Sequence, residues 1–372
     1  MSRTIRILLL GLVSALALSS AGTALAAFNT PRLVVSDAKP VGSLTINYTQ
    51  SATDDPVAKL TFYAAPEYNA SVTRPAGTTI GTVTAQGTAA DLGGALLPLT
   101  GTVQVRAANG TYLSGSTQVP IAAAATQCTG TATHTAFWVL ILQAAGQTLE
   151  LPVFVDSPAA PPRAGVDASQ FASASIQACL PPPDVPAGTP GRATFGFKLT
   201  QVAFRVNSVF TTAGTGQPLW RVLAIPYTPN TGRPNAAGSV EAQSVVAFPR
   251  SVVLSRPSVR VKSGIATLAI RGNVLAPGGL AAVSVRLFRG SGPSATVRSI
   301  VLRRSGRTVL TGTLRIRQTT KRQTLFLKIR GSIAAGTTTC TATFGVPCLS
   351  NNRAAVALSS NSVRVLIPAR KR

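Results

Sequence analysis

Histidine and acidic residues are scarce in this 372-residue chain, which narrows the range of active sites it can build. It has one histidine, His134, and 10 Asp and Glu residues in total. A metal motif with two histidines from this chain is therefore excluded. There is also no G-x-S-x-G elbow and no Walker A loop. We predict that the protein is not an enzyme, and the sequence indicates no cofactor and no metal.

Three short motifs resemble parts of known active sites. Gly214 to Gly216 begins like a dinucleotide-binding loop, but no helix follows, so we interpret it as a loop between strands. Ser36 to Lys39 has the S-x-x-K form of serine acyltransferases without the helix that this chemistry needs. Asp54 and Asp55 are interpreted as an exposed turn, with a calcium site or a glycosidase-like pair as alternatives. His134, beside an apolar run, is assigned a structural or surface role.

Aromatic residues make up only 5% of the chain. Trp138 and Trp220 both fall in strand-like segments, so we expect them in a hydrophobic core. We expect the tyrosines to be exposed contact residues: Tyr48, Tyr63, Tyr68, Tyr112 and Tyr227.

Long apolar runs are also missing, except at the N-terminus. Arg3 and Arg6 precede a run, Ile7 to Leu18, that is interrupted only by Gly11 and Ser14. Ala24-Leu25-Ala26 then has the small-x-small pattern of a signal peptidase site. We therefore predict that residues 1–26 are a cleaved signal peptide and that no transmembrane segment remains. The alternative is a membrane anchor, although a span needs about 20 apolar residues.

All four cysteines lie after this predicted signal peptide. An even number of cysteines in an oxidising compartment favours disulfides, and we pair Cys128 with Cys179 and Cys340 with Cys348. The alternative, a metal site, would lack both histidines and a C-x-x-C pair. The sequence thus predicts a secreted or extracellular protein, either released or retained at the cell surface.

Apolar residues alternate with polar ones over many short segments, which indicates strands with one buried face. Examples are Val103–Ala107, Leu149–Val155, Phe195–Leu199 and Val283–Leu287. Asn109-Gly110 and Ser305-Gly306 are predicted hairpin turns. We predict an all-β protein of tandem antiparallel Ig-like β-sandwiches. This layout resembles the broad class of secreted bacterial proteins built from tandem Ig-like domains, a resemblance of fold that implies no functional residues.

Two composition shifts suggest domain boundaries. The alanine run 122–125 follows Pro120, and no acidic residue occurs after Glu241. We therefore predict domains at 27–125, 126–249 and 250–372, each disulfide falling within one of them. The alternative joins 27–249 into one unit.

The charge distribution is the most informative feature of the sequence. Residues 250–372 contain 22 of the 35 Lys and Arg residues and no Asp or Glu. Because the basic residues alternate with apolar ones along predicted strands, we expect them to form a cationic sheet face. The predicted polyanion-binding residues are Arg260, Lys262, Arg286, Arg315, Arg317, Lys328, Arg330 and Arg364.

These observations predict a non-catalytic binding or structural protein of the cell envelope, or cell wall, whose basic domain contacts an anionic envelope polymer or an acidic polysaccharide. Two alternatives remain: an extracellular enzyme acting through residues 27–249, and a nonspecific nucleic-acid binder. The second alternative is weakened because residues 250–372 hold only Phe288, Phe326 and Phe344 as aromatics, whereas single-strand binders stack bases on exposed rings. The basic face could also serve solubility alone.

Overall fold

A computed structural model describes residues 28–38, 43–144, 146–160, 167–212, 217–246, 251–275, 283–306 and 308–370. The predicted signal peptide, Lys39 and the Gly214–Gly216 loop lie outside the described residues. The prediction of an all-β protein is confirmed, because almost every regular element is a strand.

The strands up to residue 246 form most of one long sheet and two separate two-stranded sheets. Short 3-10 helices occupy Ala90–Leu92, Ala168–Gln170, Thr194–Gly196 and Ala236–Gly238. The strands are β1 (Arg32–Ala38), β2 (Ser43–Thr49), β3 (Val57–Ala64), β4 (Tyr68–Ala70), β5 (Thr79–Ala89), β6 (Ala95–Arg106), β7 (Thr111–Ser114), β8 (Thr117–Pro120), β9 (Ala136–Ala144), β10 (Gln147–Asp156), β11 (Ala174–Cys179), β12 (Phe197–Asn207), β13 (Phe210–Thr212), β14 (Leu219–Thr228), β15 (Arg233–Pro234) and β16 (Val240–Val245).

The remaining described strands are numbered in the same way. They are β17 (Ser251–Leu254), β18 (Ser258–Lys262), β19 (Ile265–Leu275), β20 (Val283–Gly290), β21 (Val297–Val301), β22 (Arg303–Ser305), β23 (Val309–Arg317), β24 (Gln323–Ile333), β25 (Gly336–Thr338), β26 (Cys348–Arg353), β27 (Val356–Ser359) and β28 (Val363–Ile367).

The long sheet has 14 strands and encloses the larger hydrophobic core. Its order is β1-β2-β12-β5-β6-β9-β10-β11-β3-β14-β16-β26-β25, with β15 beside β14. Strand β1 at one end of the sheet meets β16 near the other end, where the Val35 amide donates a 2.8 Å hydrogen bond to Ser244 Oγ. The sheet therefore curves back on itself. Trp138 and Trp220 are 1% and 0% exposed, which confirms their predicted place in the core.

Residues on both sides of the predicted boundary at 125 contribute to this sheet and to its core. Strand β6 pairs with β9, and β3 lies between β11 and β14. This is the arrangement expected of the alternative in which 27–249 is one unit. The boundaries themselves stay predictions.

One α-helix, α1 (Ile121–Thr129), lies within the described residues, where the alanine run had indicated only a domain boundary. Ile121 and Ala125 are buried against Phe137 and Phe154 of the long sheet. The helix ends at Gly130, whose φ of 85° is a left-handed conformation that glycine adopts without strain. Near the end of the helix, Cys128 forms the predicted disulfide with Cys179, with 5.7 Å between their Cα atoms.

The basic region forms a second, sandwich-like unit of two five-stranded sheets. One sheet has the order β17-β19-β23-β22 with β18 beside β19; the other has the order β21-β20-β24-β27 with β28 beside β24. Leu268 and Leu314 from the first sheet share a core with Leu287 and Ile329 from the second. The sheets approach closely at Gly272, where an added Cβ would lie 2.5 Å from Ile329 Cδ1.

Residues 336–353, here called the inserted segment, leave this second unit between β24 and β27. Strand β26 pairs in parallel with β16 and so extends the long sheet, and β25 pairs with β26. The predicted disulfide between Cys340 and Cys348 forms within the segment, with a Cα–Cα distance of 5.7 Å. Part of the sequence that follows residue 250 thus belongs to the sheet built by the residues before it.

The two predicted hairpin turns have different outcomes. Ser305-Gly306 joins β22 to β23, which pair as expected, and Gly306 has a φ of 81°. Asn109-Gly110 forms a turn, with a 2.9 Å bond from the Gly110 amide to Ala107 O, but the hairpin prediction is wrong. Strand β6 pairs with β5 and β9, whereas β7 pairs with β8. Across the described part of the chain, we find no helix with the length and apolar character that a membrane span needs.

Candidate functional site

The outward side of the β17-β18-β19-β22-β23 sheet, here called the β19 face, carries four of the predicted binding residues. On β19, Thr267 pairs with Arg260 of β18 on one side and with Arg315 of β23 on the other. Ile265 is flanked in the same way by Lys262 and Arg317. Paired residues lie on the same face of a sheet, and these four cationic side chains are exposed.

The other four predicted residues lie on the opposite side of the second unit. We call it the β24 face, the outward side of the β20-β21-β24-β27-β28 sheet. Arg286 pairs with Arg330, Lys328 with Phe288, and Arg364 with Phe326. Because the two sheets bury their inner sides against each other, the β19 and β24 faces point away from one another. The structure therefore divides the eight predicted residues into two groups of four.

The two faces differ in how their cations are held. On the β24 face, the Arg330 guanidinium lies 5.1 Å from the centre of the Phe288 ring and donates a 2.5 Å hydrogen bond to Ser294 O. Lys328 and Arg330 are half-buried. On the β19 face, all four predicted cations are exposed.

Further arginines on these faces were not among the eight predicted binding residues. Arg271 and Arg303 pair with Thr311 from its two sides, which places both on the β19 face. Arg298 pairs with Phe288 on the β24 face. The alternation along β19 was the signal that could have identified Arg271, because it follows Thr267 by four residues on the same strand.

Acidic partners for these cations are lacking within the second unit, since no Asp or Glu follows Glu241. The Lys and Arg ion pairs found among the described residues all lie in the part of the chain up to residue 246, here called the first unit: Arg106 with Glu150, Arg192 with Asp91, and Arg221 with Glu241. Like charges at this density repel one another unless counterions or a polyanion neutralise them.

The side chain of His134 is only 1% exposed. Its Nδ1 lies 3.0 Å from Asp156 Oδ2, and its Nε2 lies 2.9 Å from Thr129 Oγ1. This is the order of groups in an acid–base–nucleophile triad. Thr129 Oγ1, however, also donates to Ala125 O at 2.9 Å, and the imidazole stacks on Phe154. The contacts tie the end of α1 to β10, in line with the predicted structural role.

The prediction that Asp54 lies in an exposed turn is wrong, because the residue is only 3% exposed. Its carboxylate accepts hydrogen bonds from the backbone amides of Asn29 and Thr30, which holds the start of the described chain against the 51–54 turn. It borders a cleft of about 360 Å³ that is also lined by Asp55, Asp184 and Lys198. Partial burial lowers the pKa of Lys198, and the three carboxylates oppose that shift.

The tyrosines also differ from prediction. Tyr48, Tyr63, Tyr68 and Tyr227 are buried rather than exposed, and only Tyr112 is half-buried. Burial raises the pKa of each of the four buried phenols, to about 12 for Tyr227, whose hydroxyl donates to Leu180 O at 2.5 Å. Their rings lie in the core, and the hydroxyl of Tyr48 also has a polar partner, since it donates to Gln50 Oε1 at 2.8 Å.

All four cysteines form disulfides, so no thiol is left to ligate a metal. In the part of the chain that the structure describes, no group of three or more His, Cys, Asp and Glu residues is arranged to hold a metal ion. The two basic faces therefore remain the strongest candidate site. Comparison with known proteins adds no family: no protein-family model matches the chain, and no curated protein matches it.

Proposed function

We propose that this protein is a non-catalytic binding or structural component of the cell envelope whose second unit contacts anionic polymers. The observation that carries the proposal is the β19 face, where Arg260, Lys262, Arg315 and Arg317 stand exposed on neighbouring strands. Arg271 and Arg303 extend the same face.

Counterion release supplies the driving force. Each Lys or Arg that neutralises an anionic group on a polymer frees a condensed counterion, so affinity rises with the number of contacts and falls with salt. At about 0.15 M salt, charges separated by more than about 8 Å are largely screened. A clustered face therefore retains a polymer under conditions in which scattered charges do not.

Export is part of the same proposal. A cleaved signal peptide over residues 1–26 would deliver the chain to an oxidising compartment, where disulfides such as Cys128–Cys179 and Cys340–Cys348 persist. There the protein is secreted or held at the cell surface. We also propose an Ig-like topology for the second unit.

The export proposal predicts that the secreted form begins at or near Ala27. Intact-mass analysis of protein recovered outside the cytoplasm measures this directly. A form in the envelope fraction that retains Met1 would contradict it and support an anchor.

Two other functions receive less support. An extracellular enzyme would need a site in the first unit. In the cleft between Asp54 and Lys198, the Asp54 carboxylate already accepts hydrogen bonds from two backbone amides, which favours a structural role for it. A single-stranded nucleic-acid binder needs exposed rings. Phe288 lies under Arg330, and Phe344 packs against Tyr63 with 5.1 Å between ring centres.

Binding of the mature chain to heparin, a sulfated polysaccharide, tests the polyanion proposal at about 0.15 M salt. We expect measurable binding that is about tenfold or more weaker when the eight predicted residues are changed together to Gln. A control changes four basic residues of the first unit to Gln, half as many as the test variant, and should bind like wild type: Arg32, Arg74, Arg205 and Arg233. Absence of binding by the wild type would leave a solubilising surface as the better account. A clear preference for nucleic acid would favour that alternative.

A further inference from the structure

On the β19 face, a strand with short side chains lies between two strands that carry cations, an arrangement that the β24 face lacks. Arg260 and Arg315 both lie directly opposite Thr267 in the sheet, one strand to each side. Strands lie about 4.8 Å apart, so the two arginines start about 10 Å from each other. The floor between them consists of the shorter side chains Ile265, Thr267 and Ala269. We call this strip, with its flanking cations, the basic trough.

The cations also repeat along the trough. Arg260 and Lys262 stand two residues apart on β18, and Arg315 and Arg317 stand two residues apart on β23. Residues i and i+2 of a strand are separated by about 6.8 Å on one face. Two rows of cations therefore run parallel to β19, one along each side of the floor.

The β24 face offers no matching strip. Its central pair, Arg286 and Arg330, consists of like charges directly opposite each other. The Arg330 side chain is already held by Phe288 and by Ser294 O. A polymer that bound there would have to displace these contacts of Arg330. If the contacts stayed in place, the polymer would face a half-buried guanidinium instead of an exposed one.

The dimensions limit the ligand. A strip about 10 Å wide between its cation rows accommodates one extended chain, and its walls present positive charge from both sides. A B-form duplex is wider, since its major groove alone measures about 12 Å, and it would contact only the rims. The trough therefore fits a single-chain polymer whose anionic groups repeat at a few ångströms.

We propose that the basic trough is the binding site for a linear, single-chain polyanion carrying phosphate or sulfate groups, which lies along β19 between Arg260 and Lys262 on one side and Arg315 and Arg317 on the other. This inference rests on the proposed function and deepens it by naming one face and one ligand shape. The phosphate and sulfate sources share the same recognition chemistry.

The experiment compares two variants of the full mature chain with equal charge change. The trough variant changes Arg260, Lys262, Arg315 and Arg317 to Gln; the control changes Arg286, Lys328, Arg330 and Arg364 to Gln. Binding of linear inorganic polyphosphate, of heparin and of duplex DNA is measured at about 0.15 M salt. We expect the trough variant to lose about tenfold or more in affinity for polyphosphate and heparin, and the control to stay within about threefold.

Two further variants, which leave the net charge unchanged, test whether binding depends on the shape of the trough. Thr267→Tyr fills the floor of the trough, and Ser332→Tyr adds the same ring to the exposed outward side of β24. Tyrosine is well tolerated in strands, so both chains should fold, which circular dichroism verifies. We expect Thr267→Tyr to weaken polyphosphate binding several-fold and Ser332→Tyr to leave it unchanged.

The outcomes separate the two proposals. Four results would each overturn the trough as the binding site while leaving polyanion binding in place. Two concern the variants: equal loss of affinity in both charge variants, or no effect of Thr267→Tyr. The other two concern the ligands: duplex DNA that binds as tightly as polyphosphate, or heparin binding without polyphosphate binding. No binding of any polyanion by the wild type would overturn the proposed function itself.

Discussion

His134 illustrates how single residues hold the first unit together. Its ring joins Thr129, at the end of α1, to Asp156 on β10. We expect His134→Ala to remove one hydrogen bond from each of these half-buried groups and to lower the free energy of unfolding by about 1–3 kcal/mol. Urea denaturation measures the change. Thr133→Ala, at an exposed neighbouring position, should stay within about 0.5 kcal/mol. Wild-type stability of His134→Ala would contradict this role.

The buried tyrosines make stability depend on alkaline pH. Burial raises the pKa of Tyr227 to about 12 and also raises those of Tyr48, Tyr63 and Tyr68. An unfolded phenol ionises near pH 10, so the folded state binds these protons more tightly. Their contribution to stability is complete below about pH 10 and is lost as pH rises through the folded pKa values.

We therefore predict a falling free energy of unfolding between about pH 10 and pH 12, measured by urea titration with tyrosinate absorbance followed in parallel. Tyr227→Phe should reduce the slope of that fall. Complete ionisation of all tyrosines near pH 10 in a chain that stays folded would show that the phenols are not buried.

At the scale of elements, the inserted segment joins the two units. Glu241 of β16 is fully buried, forms a 2.9 Å ion pair with Arg221, and accepts a 2.6 Å hydrogen bond from the Thr343 amide. Phe344 packs against Tyr63 and Phe171, with ring centres 5.1 and 5.6 Å away. These contacts hold the disulfide-closed loop 340–348 against the long sheet.

Phe344→Ala is expected to loosen this attachment, because the aromatic contacts are lost and the rings of Tyr63 and Phe171 become exposed. Limited proteolysis should then cut residues 336–353 at least severalfold faster, since cleavage reports local opening. Leu349→Ala, which removes a side chain that is already 37% exposed, is the matched control and should be cut like wild type. Equal cutting of both variants would show that Phe344 does not anchor the segment.

Strand periodicity allowed part of these elements to be predicted. Residues Leu149–Val155 and Val283–Leu287 fall in β10 and β20, as their alternation indicated. The sequence of β26, Cys-Leu-Ser-Asn-Asn-Arg, has no such alternation, and its pairing with β16 depends on contacts about a hundred residues away. Helix α1 was missed because its buried side consists mainly of alanines, which carry little apolar periodicity.

At the scale of the whole molecule, the sequence revealed the charge but not its distribution in space. The absence of acidic residues after Glu241 was visible directly. The sheet order decides which strands pair. It places Arg260 and Arg315 on one face and Arg330 on the opposite side of the second unit. Alternation alone assigns a residue to one side of its own strand and cannot tell which sheet that strand joins.

The salt dependence of heparin binding tests the central claim most directly. Affinity of the mature chain is measured over a range of salt concentrations for the wild type and for the variant with all eight predicted residues changed to Gln. Each contact to a single-chain polyanion contributes about 0.7 to the slope of log affinity against log salt, so four trough contacts contribute about 3. We predict a steep wild-type slope that falls by about 3 or more in the variant. Identical slopes, or no binding by the wild type, would contradict the account.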